Sequence, residues 1–186
     1  MLGWAAEYLA DPRTPIVVLS LVLLAALVAR PLALLTRWPV WTTAAMLQAA
    51  AVVGILTLGP APGHPLTGPD GAALVDCVQT LGSPSAWWEG LIATGDRGER
   101  VGNVLMFMPL GCFAVLVTKR PVLTALVVAF APSVIELSQV LIGGGRDCAA
   151  NDWLNNATGG LLGVLVGWTV LRGGAGISKE TRRSVP

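Results

Sequence analysis

The chain has 186 residues, 54% of them hydrophobic and 12% charged, with a net charge of +1 and a mean hydropathy of +0.68. Water-soluble domains carry about 25% charged residues, so a soluble core does not account for this composition. No basic patch stands out, so no nucleic-acid partner is expected. What remains is an all-α fold, a polytopic transmembrane bundle of about five spans.

In chain order, the first fourteen residues place Glu7 and Asp11 before Arg13. A signal peptide wants a basic leader, so no cleaved leader is expected. The first apolar run, at about 15–36, is interrupted by Arg30 and Pro31. It either stops near Ala29, leaving four spans, or continues with Arg30 snorkelling to the interface. A second run occupies about 41–59, near the ~20 residues that a bilayer crossing needs.

Residues 60–101 form one long loop that opens in a Pro- and Gly-rich stretch. His64, the only histidine, sits there and reads as a loop residue rather than a metal ligand. Further on, "AALVDCVQTLG" and "SAWWEGLIATG" form either short amphipathic helices on the outer membrane surface or a solvated connection. Three more runs follow at about 102–118, 121–142 and 152–171. Pro109 kinks the first of these and frees a backbone carbonyl.

Charge orients the spans. With the N-terminus outside, the inner segments hold Arg30, Arg37, Lys119, Arg120, Arg172, Lys179, Arg182 and Arg183, against Arg13, Arg97, Arg100 and Arg146 outside. That is the positive-inside bias, and it leaves the C-terminus cytoplasmic. Trp38, Trp41 and Trp168 fall at inner boundaries, and Trp87, Trp88 and Trp153 at outer ones. Cys112 lies within a span as plain packing. Cys77 and Cys148 share the outer side, where a disulfide is compatible with an oxidising compartment, although spacing alone does not pair them.

Polar residues then concentrate at one depth. Arg100 and Asn103 stand at the outer end of the third span. Ser133, Glu136 and Gln139 share one face of the fourth, with Glu136 about 9 Å below its outer end. Arg146 lies in the next loop, and Asp152 and Asn156 begin the fifth span. On that helix Asp152, Asn156, Gly159, Gly163 and Gly167 fall within about 80°. The face is polar at its start and small along its length, so it meets protein, with the glycines docking a neighbouring backbone. An ionisable group in hydrocarbon costs roughly 2.5–3.5 kcal/mol or more, so Glu136 is expected to be protonated, paired or hydrated. Asp152 reads equally as an N-cap.

These segments together resemble the VanZ-like family of bacterial membrane proteins. The matching elements are "NVLMFMPLG", with Asn103, Phe107, Pro109, Leu110 and Gly111, then "ELSQ", with Glu136 and Gln139, followed by Arg146, Asp152, Asn156, Gly159 and Gly163. The resemblance covers about residues 97–168. It does not extend to the first two spans or the long loop. The organisation expected is 1–101 for two spans and the loop, 102–171 for a three-helix core, and 172–186 for a basic cytoplasmic tail. One departure is Ala149, where the family often carries an acid. The resemblance implies a bacterial cell membrane, a role at the cell envelope and a link to resistance against the glycopeptide teicoplanin.

The leading reading is a non-catalytic membrane protein with no cofactor or metal. Its outer-leaflet polar pocket (Arg100, Asn103, Glu136, Gln139, Arg146, Asp152 and Asn156) takes a membrane lipid, a lipid-linked envelope component or a glycopeptide antibiotic. One alternative is a membrane enzyme using Glu136 and Asp152 as an acid/base pair on a lipid. There is no Ser–His or Cys–His arrangement to support other chemistries. A third reading is a scaffold in which the polar groups only fix helix register.

Overall fold

The structure is a computed structural model that describes residues 13–59, 64, 66–92, 97–145 and 148–183. Among these are seven helices and no strand: α1 (Arg13–Thr36), α2 (Val40–Leu58), α3 (Gly71–Gly82), α4 (Pro84–Ile92), α5 (Arg97–Thr118), α6 (Pro121–Ile142) and α7 (Ala150–Arg183). Five of them, α1, α2, α5, α6 and α7, are long and apolar enough to cross a membrane. The first run does not stop at Ala29, since α1 continues through Arg30 and Pro31 to Thr36. The loop stretches fold as α3 and α4.

Side chains are distributed for a lipid solvent. Leu27, Leu35, Phe130 and Val134 are among the large apolar groups left on the outside, whereas Thr43, Thr57, Thr124, Glu136, Gln139 and Asn156 are buried. Outward apolar groups gain nothing by leaving lipid, so the helices associate through close packing and internal hydrogen bonds. The buried threonines satisfy themselves locally. Thr43 donates to the Pro39 carbonyl at 2.9 Å and Thr57 to that of Val53 at 2.7 Å, and the Thr118 and Thr124 hydroxyls pair at 2.9 Å.

The tightest seam joins α5 to α7, and glycine spacing creates it. A Cβ added at Gly159, Gly163 or Gly167 would overlap the backbone of Val104, Met108 or Cys112 in turn, and one at Gly111 would overlap the Gly160 carbonyl. Each four-residue step on α7 matches a four-residue step on α5, so the two helices run parallel with backbones in contact. Next to this seam α6 runs antiparallel to α7. Trp153 Nε1 donates to Ser133 Oγ at 2.6 Å, and Gly160 lies against Val128. The α1–α2 hairpin is tied by Gln48 Nε2 donating to the Val22 carbonyl at 2.9 Å. It joins the core where Gln139 Nε2 donates to the Thr57 carbonyl at 2.8 Å.

One end of the bundle is capped by α3 and α4. Asp70 starts α3 as its N-cap, accepting from the backbone N–H of Ala72 at 2.9 Å, which satisfies one of the unpaired first-turn donors. The strap before α3 is clamped to the end of α6, where the Gly143 carbonyl accepts from both Thr67 N at 3.0 Å and Thr67 Oγ1 at 2.8 Å. Gly143 itself has φ 65° and leaves no room for a Cβ against Gly68 and Thr67, so the sharp end of α6 requires glycine. A Cys77–Cys148 disulfide, Cα–Cα 5.3 Å, then joins α3 to the residues just before α7.

Candidate functional site

Helices α5, α6 and α7 bring their polar residues together beneath the cap. Asn103 Nδ2 donates to Asp152 Oδ1 at 3.2 Å, linking α5 to the first turn of α7. Asn151 Nδ2 donates to the same oxygen at 3.3 Å. Glu136 is 1% exposed, and its Oε2 accepts from the backbone N–H of Ala149 at 3.1 Å. That donor lies at the entrance of α7, where unpaired N–H groups and the helix dipole favour a carboxylate.

Register places the rest. The antiparallel contacts Ser133–Trp153 and Val128–Gly160, continued by turns, set Pro132 level with Asn156 and Glu136 level with Asp152. Along the parallel seam, Asn103–Asp152 and Gly111–Gly160, stepped by turns, place Phe107 against Asn156. Asn156 is 3% exposed, and its Oδ1 has no hydrogen-bond donor among the described residues. Its neighbours Phe107 and Pro132 are fully buried and offer no side-chain donor. A buried acceptor without a donor is costly, of order 1–3 kcal/mol.

Not every residue singled out from the sequence converges on this spot. Gln139 turns to the Thr57 carbonyl and ties α6 to α2. Arg100 donates from Nη2 to the Gly90 carbonyl of α4 at 2.9 Å. Arg146 lies outside the described residues. Pro109 is exposed on the same outer face as Leu105, so the Leu105 carbonyl it deprives of a helical donor belongs to the far side of α5. Gly111, Gly159, Gly163 and Gly167 are all buried in packing. His64 packs against Gly145. Among the described residues no group of three or more His, Cys, Asp or Glu side chains is placed to hold a metal.

Sequence reasoning missed two features. One partner of Glu136 is the backbone N–H of Ala149, a donor that any residue type could supply and that sequence therefore does not reveal. Asn155 is the second feature: its Nδ2 is buried without an acceptor among the described residues. A cavity of about 280 Å³ also lies beside the cluster, between α3 and the end of α6, lined by Thr67, Asp70, Asp76, Val140, Gly143 and Cys148.

The comparisons bear on this end of the bundle. No curated protein and no solved structure matches the chain. A family model described as VanZ/LLP1 matches residues 69–172, which is wider than the motifs at 97–168 and takes in α3 and α4. That match covers more than half of the sequence and includes every polar residue of the cluster, so this multi-pass membrane protein belongs to the VanZ/LLP1 family.

Proposed function

We propose that the capped end faces away from the cytoplasm and binds the head of an amphiphile, a lipid-linked envelope component or a lipoglycopeptide of the teicoplanin type. Two independent features support the orientation. The Cys77–Cys148 bond suits an oxidising compartment, and Arg30, Arg37, Lys119, Arg120 and Arg172 all lie toward the other end, as the positive-inside rule favours. There Arg172 also stacks 3.8 Å from the Trp168 ring centroid, an interfacial pairing of cation and aromatic.

The observation that carries the binding reading is Asn156, an enclosed acceptor with no donor among the described residues, one turn below the Asn103–Asp152 pair. In this reading a hydroxyl or amide of the head donates to Asn156, Arg146 meets its anionic part, and Glu136 sets the charge of the site while anchoring the α7 entrance. Acyl chains stay in the surrounding lipid. Contribution to teicoplanin resistance would follow from capture of the drug's lipid-anchored form or of its target.

The test is binding by the purified chain in lipid nanodiscs, using a teicoplanin-type lipoglycopeptide and its deacylated core as probes. Tighter binding of the acylated form is expected. Asn156→Ala should lower its affinity roughly fivefold, the value of about 1 kcal/mol for one hydrogen bond, and Arg146→Ala should lower it more. Unchanged affinity in both variants, with the disulfide intact, would reject the reading.

A further inference from the structure

Two buried donors at the capped end lack an acceptor among the described residues: Nε of Arg100 and Nδ2 of Asn155. The ladder of contacts along the α5–α7 seam sets their residues side by side. Val104 lies on Gly159, Met108 on Gly163 and Cys112 on Gly167, and the same step taken one turn earlier pairs Arg100 with Asn155. Helix α4 closes the third side. Gly90 packs on the Asn151 backbone, and its carbonyl fixes the guanidinium through Nη2 at 2.9 Å. The ring contact of Trp87 with Trp153, centroids 4.6 Å apart, holds α4 in place.

A guanidinium anchored on one edge and unused on another, beside a spare amide N–H, is a donor set for an anionic oxygen. The N-termini of α5 and α7 end at the same place and add positive potential. Depth argues for the source of that oxygen. On α4, Trp88, Leu91 and Ile92 share one face at helical spacing and are 63%, 58% and 58% exposed, an apolar face suited to the headgroup boundary of a bilayer. Lipid phosphates lie at that level.

We propose that Arg100 and Asn155 form a phosphate-oxygen subsite for a membrane lipid at the junction of α4, α5 and α7. It rests on the amphiphile reading and deepens it by adding Arg100 and Asn155 to Arg146 as donors to the anionic part of the head, beside the Asn156 position.

The test uses the full chain in a maltoside detergent, titrated by native mass spectrometry with phosphatidic acid, a diacylglycerol of the same acyl chains, and inorganic phosphate. The wild type should retain phosphatidic acid over diacylglycerol. Arg100→Gln and Asn155→Leu should each weaken phosphatidic acid by about tenfold or more, the usual worth of a hydrogen bond to a charged group. Competition by inorganic phosphate identifies the anion alone as sufficient, and its failure to compete assigns part of the affinity to the chains; either result fits the subsite. Asn155→Leu removes an unmatched buried donor, so lipid-free melting should be unchanged or raised, and it decides the matter if Arg100→Gln does not fold. Equal retention of the two lipids, or phosphatidic acid binding untouched in Asn155→Leu, overturns the proposal. Asn156→Ala, run in parallel with the lipoglycopeptide probe, separates the two ideas: loss there with no effect of Arg100→Gln or Asn155→Leu removes the subsite and leaves the pocket.

Discussion

Replacing Gly163 by alanine tests the packing on which the site depends. A Cβ at that position would lie 2.8 Å from the Cys112 backbone nitrogen and nearer still to the Met108 carbonyl. Ordinary contact begins at 3.4 Å, so the α5 and α7 backbones must separate by at least about 0.6 Å, the difference between those two distances. Both neighbours are helix backbone and cannot rotate away. Overpacking of this kind costs roughly 1–3 kcal/mol. The control is Gly54 in α2, where an added Cβ meets nothing within 4 Å and alanine should gain up to about 1 kcal/mol from reduced backbone freedom. Thermal unfolding in detergent, followed by loss of the monodisperse peak, should therefore move in opposite directions for the two variants. If Gly163→Ala melts with Gly54→Ala, the α5–α7 backbones are not in contact, and the seam that sets Arg100 beside Asn155 and Phe107 against Asn156 loses its basis.

Two further outcomes follow from the same geometry. Cys77→Ser opens a loop of 71 residues and should lower stability by up to about 4 kcal/mol on the chain-entropy account, with a slower non-reducing gel band; unchanged melting and mobility would refute the link. Glu136→Ala strands the Ala149 N–H at the start of α7 and should cost about 1–3 kcal/mol, whereas Glu136→Gln keeps an acceptor there and should retain most of the stability; equal melting of the two variants would show that this hydrogen bond contributes nothing.

The spans were legible because lipid imposes a simple requirement, about twenty apolar residues in a row, and the helices at 15–36, 41–59 and 121–142 follow it within a residue or two of the limits read from the sequence. The close docking of α7 on a neighbouring backbone was legible in the same way, since glycine at four-residue steps permits it, although the sequence did not name α5 as that neighbour. Helix α5 begins at Arg97 rather than 102, because its polar first turn, with Glu99 favourable near the N-terminal dipole, is invisible to hydropathy. Partners across elements were not legible. Gln139 shares a helical face with Glu136, and only the position of α2 decides that it reaches the Thr57 carbonyl. Arg100 likewise reads as a cation at a helix start, and its orientation depends on where α4 places Gly90.

The seam also limits what the site can do. From Gly159 downward the α5 and α7 backbones touch at Val104, Met108 and Cys112, and Val115, Val128 and Val164 fill the core below. Among the described residues no buried polar side chain of α5, α6 or α7 enters that stretch until Thr124 near the opposite end. A path for a solute between these two helices would have to part backbones that glycines hold in contact, at the cost of every one of those approaches together. Above Gly159 the pattern changes within one turn to Asn155 and Asn156, and then to Asp152. The polar cluster is therefore shallow, confined to the capped end and closed beneath. Such a shape suits a molecule that presents its head from the side and leaves its chains in the bilayer, and it argues against one that passes through the protein.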